Sequence, residues 1–252
     1  VINVIILSKT DEYLLRCLES LVSTQSPFFP GARIVIGDNG LSRRGSSRYI
    51  DVYQACRIRN IEILSVPIPS PFVFARAVNL CVETTERKTD LFLLNDDTTF
   101  ESENPLSTLT ALVEQEREAK IIGMLSPQIT GGCGNTDQTL PVELGKIRLS
   151  DLTLCFIAVV IFRDVWDTVG PLDERFTGYG FEDADYSRRV RAAGYELGVT
   201  SAVVIRHHGY SDELPMHGTF AREYSPELMS AKFEEGKRIF EAKWGDLRGA
   251  PA

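Results

Sequence analysis

Cysteine is scarce in this chain, and its five copies, Cys17, Cys56, Cys81, Cys133 and Cys155, nowhere form a C-x-x-C pair. An odd count without paired spacing argues against a disulfide framework and against a cysteine-built zinc site. Cys17, Cys56 and Cys81 fall inside apolar helical patterns and are expected as small core residues. That usage points to a reducing, cytoplasmic setting. Positive charge is also in deficit: 27 Lys and Arg against 35 Asp and Glu give a formal net charge of −8, which disfavours broad binding to nucleic acid or anionic membrane. The local basic group Arg43, Arg44, Arg48, Arg57 and Arg59 lacks the interleaved aromatics of a stacking platform and reads as a solvated face. No apolar run has membrane-spanning length, so no integral membrane segment is expected, and the opening residues 1–7 read as a strand. What precedes Val1 is left open. There is no G-x-G-x-x-G and no G-x-x-x-x-G-K-S/T, so neither a dinucleotide fold nor a P-loop is announced.

What the chain does contain is an alternation of strand and helix patterns. After the first strand, Thr10 or Asp11 can cap a helix with Leu14, Leu15, Leu18, Leu21 and Val22 on one face. A strand at 33–36 ends in Gly37-Asp38-Asn39-Gly40. A weaker helix through Tyr49, Ile50 and Tyr53 follows, then a strand at 61–66, a stiff Pro-rich stretch at 67–71 and a helix over about 72–85. Such spacing implies right-handed β-α-β units and an α/β fold with a mostly parallel sheet. Further on, Asn104 caps a helix with Pro105 at its first position and Leu106, Leu109, Leu112 and Val113 on its buried face. A strand is expected at 121–125, a mobile glycine-rich loop at 131–137 and a second strongly apolar strand at 154–162. The 210–220 segment, with Pro215, His217 and Gly218, reads as a lid that orders on ligand binding. A closing helix over 225–244 would bury Leu228, Phe233, Ile239 and Phe240.

Two acidic clusters carry the chemistry. In Leu93-Leu94-Asn95-Asp96-Asp97-Thr98 an apolar strand stops at adjacent carboxylates, placed at the sheet edge where open α/β folds collect ligands. Adjacent carboxylates repel unless a cation lies beside them, which suggests a divalent metal; a plain Asx turn is the competing reading. The second cluster, Glu182, Asp183 and Asp185, falls in the first turn of a short helix closed by Gly194, where acids also complement the helix dipole. His207 and His208 end a late apolar strand, and alternation lets at most one of them face a site.

The ordered set Asp38-Asn39-Gly40, Ala77-Val78-Asn79 and Leu94-Asn95-Asp96-Asp97-Thr98 resembles the nucleotide-sugar half of the family 2 glycosyltransferases of GT-A fold. The runs Gly170-Pro171-Leu172-Asp173-Glu174-Arg175-Phe176, Glu182-Asp183-Ala184-Asp185, Arg191-Ala192-Ala193-Gly194-Tyr195, Arg206-His207-His208-Gly209 and Lys243-Trp244-Gly245 look like its acceptor half. The Leu-Asn-Asp-Asp-Thr form is most similar to the rhamnosyltransferase-type branch. This resemblance implies a single GT-A-like domain, with a nucleotide-sugar half over about 1–98, an acceptor half over about 99–210, and a lid and terminal helix at 211–252. It implies inverting transfer from a nucleoside diphosphate sugar of UDP or dTDP type to a hydroxyl on a glycan or glycoconjugate. Asp97 and His208 would hold Mn²⁺ or Mg²⁺, hard cations suited to oxygen ligands. Ser8, Thr10, Asp38, Arg76, Asn79, Asn95 and Asp96 would line the nucleotide sugar. Asp183 would be the general base, with Glu182 and Asp185 supporting the acceptor. Asn95, where many relatives carry Asp, and Ser8-Lys9-Thr10, where they carry a Thr-Tyr-Asn-like segment, depart from the pattern. Two other readings stay open: a metal-dependent nucleotidyltransferase, and a sugar-nucleotide-binding module without turnover.

Overall fold

The computed structural model describes residues 2–29, 31–41, 46–119, 121–132, 135–178, 180–208 and 225–245. The first half is laid down as the strand–helix pattern requires. Strands β1 (Ile2–Ser8), β2 (Ala32–Asp38), β3 (Ile61–Pro67) and β4 (Asp90–Asn95) alternate with helices α1 (Asp11–Thr24), α2 (Ser47–Ile58) and α3 (Phe74–Glu83). Their pairings are all parallel, in the order β3-β2-β1-β4. Ile2, Val4, Ile5 and Ile6 of β1 and Leu91, Phe92, Leu93 and Leu94 of β4 are buried, as expected of strands covered on both faces. Each such side chain contributes about 1.5–3 kcal/mol through burial. Leu14, Leu15, Leu18 and Leu21 form the buried stripe of α1.

The second half alternates in direction, so the sheet is mixed rather than mostly parallel. It comprises β5 (Thr98–Phe100), β6 (Ile122–Thr130), β7 (Arg148–Leu149), β8 (Ala158–Ile161) and β9 (Glu196–His207). Strand β8 runs antiparallel between β4 and β6, while β9 lies parallel to β6 and antiparallel to β5 and β7. Helices α4 (Pro105–Ala119), α5 (Thr136–Thr139), α6 (Arg163–Val169), α7 (Glu182–Ala192) and α8 (Pro226–Trp244) complete the chain. Antiparallel neighbours need no helical crossover, which is why the periodicity of the first half does not continue.

Several local expectations change. Asn104 precedes α4, but its side chain accepts from Ser26 N; it is Gln25 Oε1 that takes the free N–H of Leu106. The glycine-rich stretch is tied down where it is described: Asn135 Nδ2 donates to Thr153 O, and the fully buried Gln138 donates to Ser126 Oγ. In α8, Phe240 is buried and Phe233 and Ile239 pack beside it, whereas Leu228 is exposed. The expected lid at 210–220 lies outside the described residues. Among the described residues no helix is long and apolar enough to cross a membrane.

Candidate active site

The chain turns to either side of β1, towards β2 on one flank and β4 on the other, and ligands of open α/β sheets gather where strand order reverses in this way. Register places the ends of the three strands side by side: Ser8 lies opposite Asp38, and Leu7 opposite Asn95. Strand β4 then stops because Thr98 Oγ1 donates back to Asn95 O at 2.6 Å, closing a turn with Asp96 and Asp97 at its corner. A turn does form here, but it is no solvated surface turn. Asp96 and Asp97 are only 7% and 8% exposed.

Burial of two adjacent carboxylates is costly unless each finds a partner. Asp96 Oδ2 accepts from Ser8 Oγ at 2.6 Å. Burial first, and the charge of Asp97 second, push the Asp96 carboxyl up to about 8. Asp97 Oδ1 is buried without a hydrogen-bond partner among the described residues, and His207 Nε2 lies 3.4 Å away. His207 Nδ1 is 2.9 Å from Gly132 O. A carbonyl only accepts, so Nδ1 carries the hydrogen, and Nε2 is the ring nitrogen turned to Asp97. Gly131, at φ +80°, makes this approach possible, since a Cβ there would stand 2.2 Å from His207 O.

A carboxylate oxygen with no hydrogen-bond partner among the described residues, beside an imidazole nitrogen, suits a divalent cation. The 3.4 Å gap is close to the roughly 3 Å separating adjacent ligands of an octahedral ion at ~2.1 Å. Among the described residues no three His, Cys, Asp or Glu side chains converge as a full cage. A Mg²⁺-like ion does not need one, because substrate phosphates and water complete its shell. Of the two adjacent histidines, it is His207 that turns to Asp97. His208 Nε2 pairs instead with Thr99 Oγ1 at 2.9 Å, and its backbone N–H donates to Asp97 O. Burial and the nearby Arg16 and Arg206 lower the His208 pKa.

The second acidic cluster is tied to the first through the segment entering β8. Asn95 N donates to Ile157 O at 2.8 Å, and on the same segment Leu154 N donates to Ser187 Oγ of α7 while the Phe156 ring packs on Tyr186. Asp183 Oδ1 accepts from Ala184 N at 2.8 Å. Desolvation pushes Asp183 up to about 6; Glu182 rises further, to about 8, through desolvation and then the charge of Asp183. Both carboxyls therefore hold their protons to higher pH than exposed ones do.

The other expected site residues also have partners within the fold. Asp38 Oδ1 accepts from Gly40 N and Leu41 N, forming an Asx turn at the end of β2. Thr10 is the residue before α1, and its carbonyl accepts from Tyr13 N and Leu14 N. Arg76 donates to Pro71 O, which draws it back over the segment that leads into α3. Asn79 is a clamp for the loop after α6: Nδ2 donates to Leu172 O and Glu174 Oε1, and Oδ1 accepts from Leu172 N. Asp185 is 1% exposed and points away from any acceptor, towards Arg189, Lys243 and Trp244.

No family model matches the chain, and no curated protein matches it by sequence. Solved structures do share its fold. GalNAc-T7 with UDP, GalNAc and Mn²⁺ superposes with a TM-score of 0.61 over 99% of this chain and 51% of that one, at 14% identity. TarS residues 1–349 of S. aureus gives 0.58 over 82% of this chain and 60% of that one, at 15% identity. The mannosyltransferase PcManGT of Pyrobaculum calidifontis, with GDP-Man and Mn²⁺, gives 0.58 over 82% and 56%, at 12% identity. The chain spans 51–60% of the length of these three proteins. At such identities the likeness speaks for the fold alone, and that fold is GT-A-like.

Proposed function

We propose that the chain is a metal-dependent, inverting glycosyltransferase of family 2, similar to the rhamnosyltransferase-type branch, which transfers a sugar from a nucleoside diphosphate to a hydroxyl acceptor. The observation that carries this reading is Asp97 Oδ1, buried and unpartnered opposite His207 Nε2 at the reversal of strand order. Asp97 and His207 would hold Mn²⁺ or Mg²⁺, and such an ion, when bound, neutralises charge on a departing diphosphate. Asp96, fixed by Ser8, stands at the nucleotide beside Asp38. The 1–98 half would take the donor and the 99–210 half the acceptor, a glycan or glycoconjugate hydroxyl.

Inversion needs one base on the acceptor side. Asp183 takes the hydroxyl proton as the acceptor oxygen bonds to the anomeric carbon and the bond to the diphosphate oxygen breaks. Its pKa near 6 keeps it ionised at neutral pH while making it a stronger base than an exposed Asp. Glu182, whose carboxyl is raised by desolvation and then by the charge of Asp183, holds its proton to higher pH than an exposed Glu and can donate a hydrogen bond to the acceptor. The buried free thiols of Cys17, Cys56 and Cys81 support a reducing compartment such as the cytoplasm.

A thermal-shift screen of UDP-, dTDP- and GDP-sugars with and without Mn²⁺ tests this reading. A donor that raises the melting temperature only when the metal is present supports it, since a ligand of the native state stabilises by mass action. No shift from any donor with Mn²⁺ or Mg²⁺ would count against it.

A further inference from the structure

The first turn of α7, which carries Asp183, has a small apolar cluster of its own, separate from the main core. Phe176, Phe181, Ala184 and Phe240 form it, with Phe233, Ile239 and Trp244 packed alongside. Every member outside the 176–184 stretch comes from α8. Phe181, two residues before Asp183, is buried at φ +73°, a left-handed backbone that a bulky residue adopts only under constraint. The rings of Phe233 and Phe240 supply that constraint, with centroids 4.9 and 5.5 Å from that of Phe181. At Gly178 the backbones meet so closely that a Cβ would stand 2.2 Å from Lys232 O.

The far end of α8 is fixed by charge. Buried Asp185 accepts from Trp244 Nε1 at 2.9 Å and Lys243 Nζ at 2.7 Å, as well as from Arg189 Nε at 3.0 Å on its own helix. Lys243 Nζ also reaches Asp173 Oδ2 at 2.8 Å, in the loop that Asn79 holds at Leu172. A fully paired buried network of this kind specifies one geometry, because losing a member leaves a charge unpaired. Asp183 depends on that geometry, since it sits in the first turn of α7, and α7 keeps its place against the segment entering β8 through the bond from Leu154 N to Ser187 Oγ and the packing of Tyr186 on Phe156.

We propose that the last turn of α8 positions the base: Trp244 and Lys243, acting through Asp185, hold the start of α7, and with it Asp183, against the segment entering β8. This rests on the reading of Asp183 as the base. Trp244 and Lys243 are positioning residues, too deeply engaged with Asp185 to meet substrate themselves.

The deciding experiment is a ¹³C-carboxyl NMR titration of Asp183 in the full chain, its resonance identified by Asp183→Asn. Trp244→Phe keeps the ring beside Arg188 but removes the N–H, and Lys243→Met removes the shared cation. In both, the Asp183 midpoint is expected to fall by about half a pH unit as water reaches the loosened first turn. Donor hydrolysis, followed as UDP release from UDP-GlcNAc with Mn²⁺, is expected to lose on the order of 10²-fold in kcat with KM unchanged. Lys243→Arg is expected to restore both. An unchanged midpoint in folded Trp244→Phe and Lys243→Met proteins overturns the inference. Turnover surviving Asp183→Asn would instead remove the base assignment, while the titration still reports whether α8 positions that carboxylate.

Discussion

Ser8 Oγ donates to Asp96 Oδ2 across 2.6 Å, joining the end of β1 to the turn that follows β4, 88 residues later. Both residues are buried, and the hydroxyl faces a carboxylate that is otherwise short of solvent. Removing the hydroxyl leaves that buried oxygen without its partner, which costs about 1–3 kcal/mol. Ser8→Ala is therefore expected to destabilise the fold by about 2 kcal/mol, measured by urea unfolding, and to weaken nucleoside diphosphate binding in calorimetry. Stability and binding both at wild-type level would show that Ser8 does not hold Asp96 in solution.

The two late histidines separate metal binding from packing. Asp97→Ala and His207→Ala should each weaken UDP binding only when Mn²⁺ is present, and leave chelator-treated binding unchanged. His208→Ala removes the bond to Thr99 and should have the smaller effect on the metal-dependent part. Titration calorimetry of UDP with and without Mn²⁺ measures all three. A larger metal-dependent loss in His208→Ala than in His207→Ala would reverse the assignment.

Turnover should depend on the ionisation of Asp183. Because its carboxyl is pushed up to about 6, kcat is expected to rise tenfold per pH unit below that point and level off above it. Asp183→Asn keeps the shape but cannot take a proton, so a loss of about 10²–10⁴-fold is expected, with donor binding retained. A pH profile of donor turnover for wild type and variant checks both. A flat profile from pH 5 to 7 would exclude Asp183 as the proton acceptor.

The parallel half of the sheet was legible because β1 and β4 are buried on both faces and α1 and α3 are amphipathic, so periodicity reports them directly. The acidic turn was legible for a related reason: the apolar run of β4 ends abruptly at charged residues. Strand β5 was not, because three residues carry no period; it is defined by pairing with β9 over a hundred residues away. The choice between His207 and His208 was in fact available. Val203 and Ile205 are buried, and counting on by two reaches His207. Asp185 and Asn79 were read as site residues because polar side chains near a motif look functional in one dimension. Their partners, Trp244 and Leu172, lie 59 and 93 residues away, and only the tertiary fold reveals that their hydrogen bonds are already spent.

The same acidic pair makes a claim about stability. Glu182 and Asp183 are raised in the fold, to about 8 and about 6, above the ~4 of an unfolded carboxylate, so between these values the folded state binds more protons than the unfolded one. Stability must then fall as pH rises through the window from about 4 to 8. Asp173 has the opposite sign. Arg175 first, then Lys243, hold its carboxyl well below the usual range, so its contribution is full above about 4 and is lost only in stronger acid. The melting temperature is therefore expected to climb as pH is lowered from 8 to about 5, and to drop once Asp173 protonates. Glu182→Gln replaces one titrating acid with a permanently neutral side chain, and should flatten the slope between pH 5 and 8 while raising stability at pH 8. Differential scanning fluorimetry across that range decides it: a melting temperature that rises steadily towards pH 8 in the wild type would mean that the two acids are solvated in solution and do not share a desolvated site.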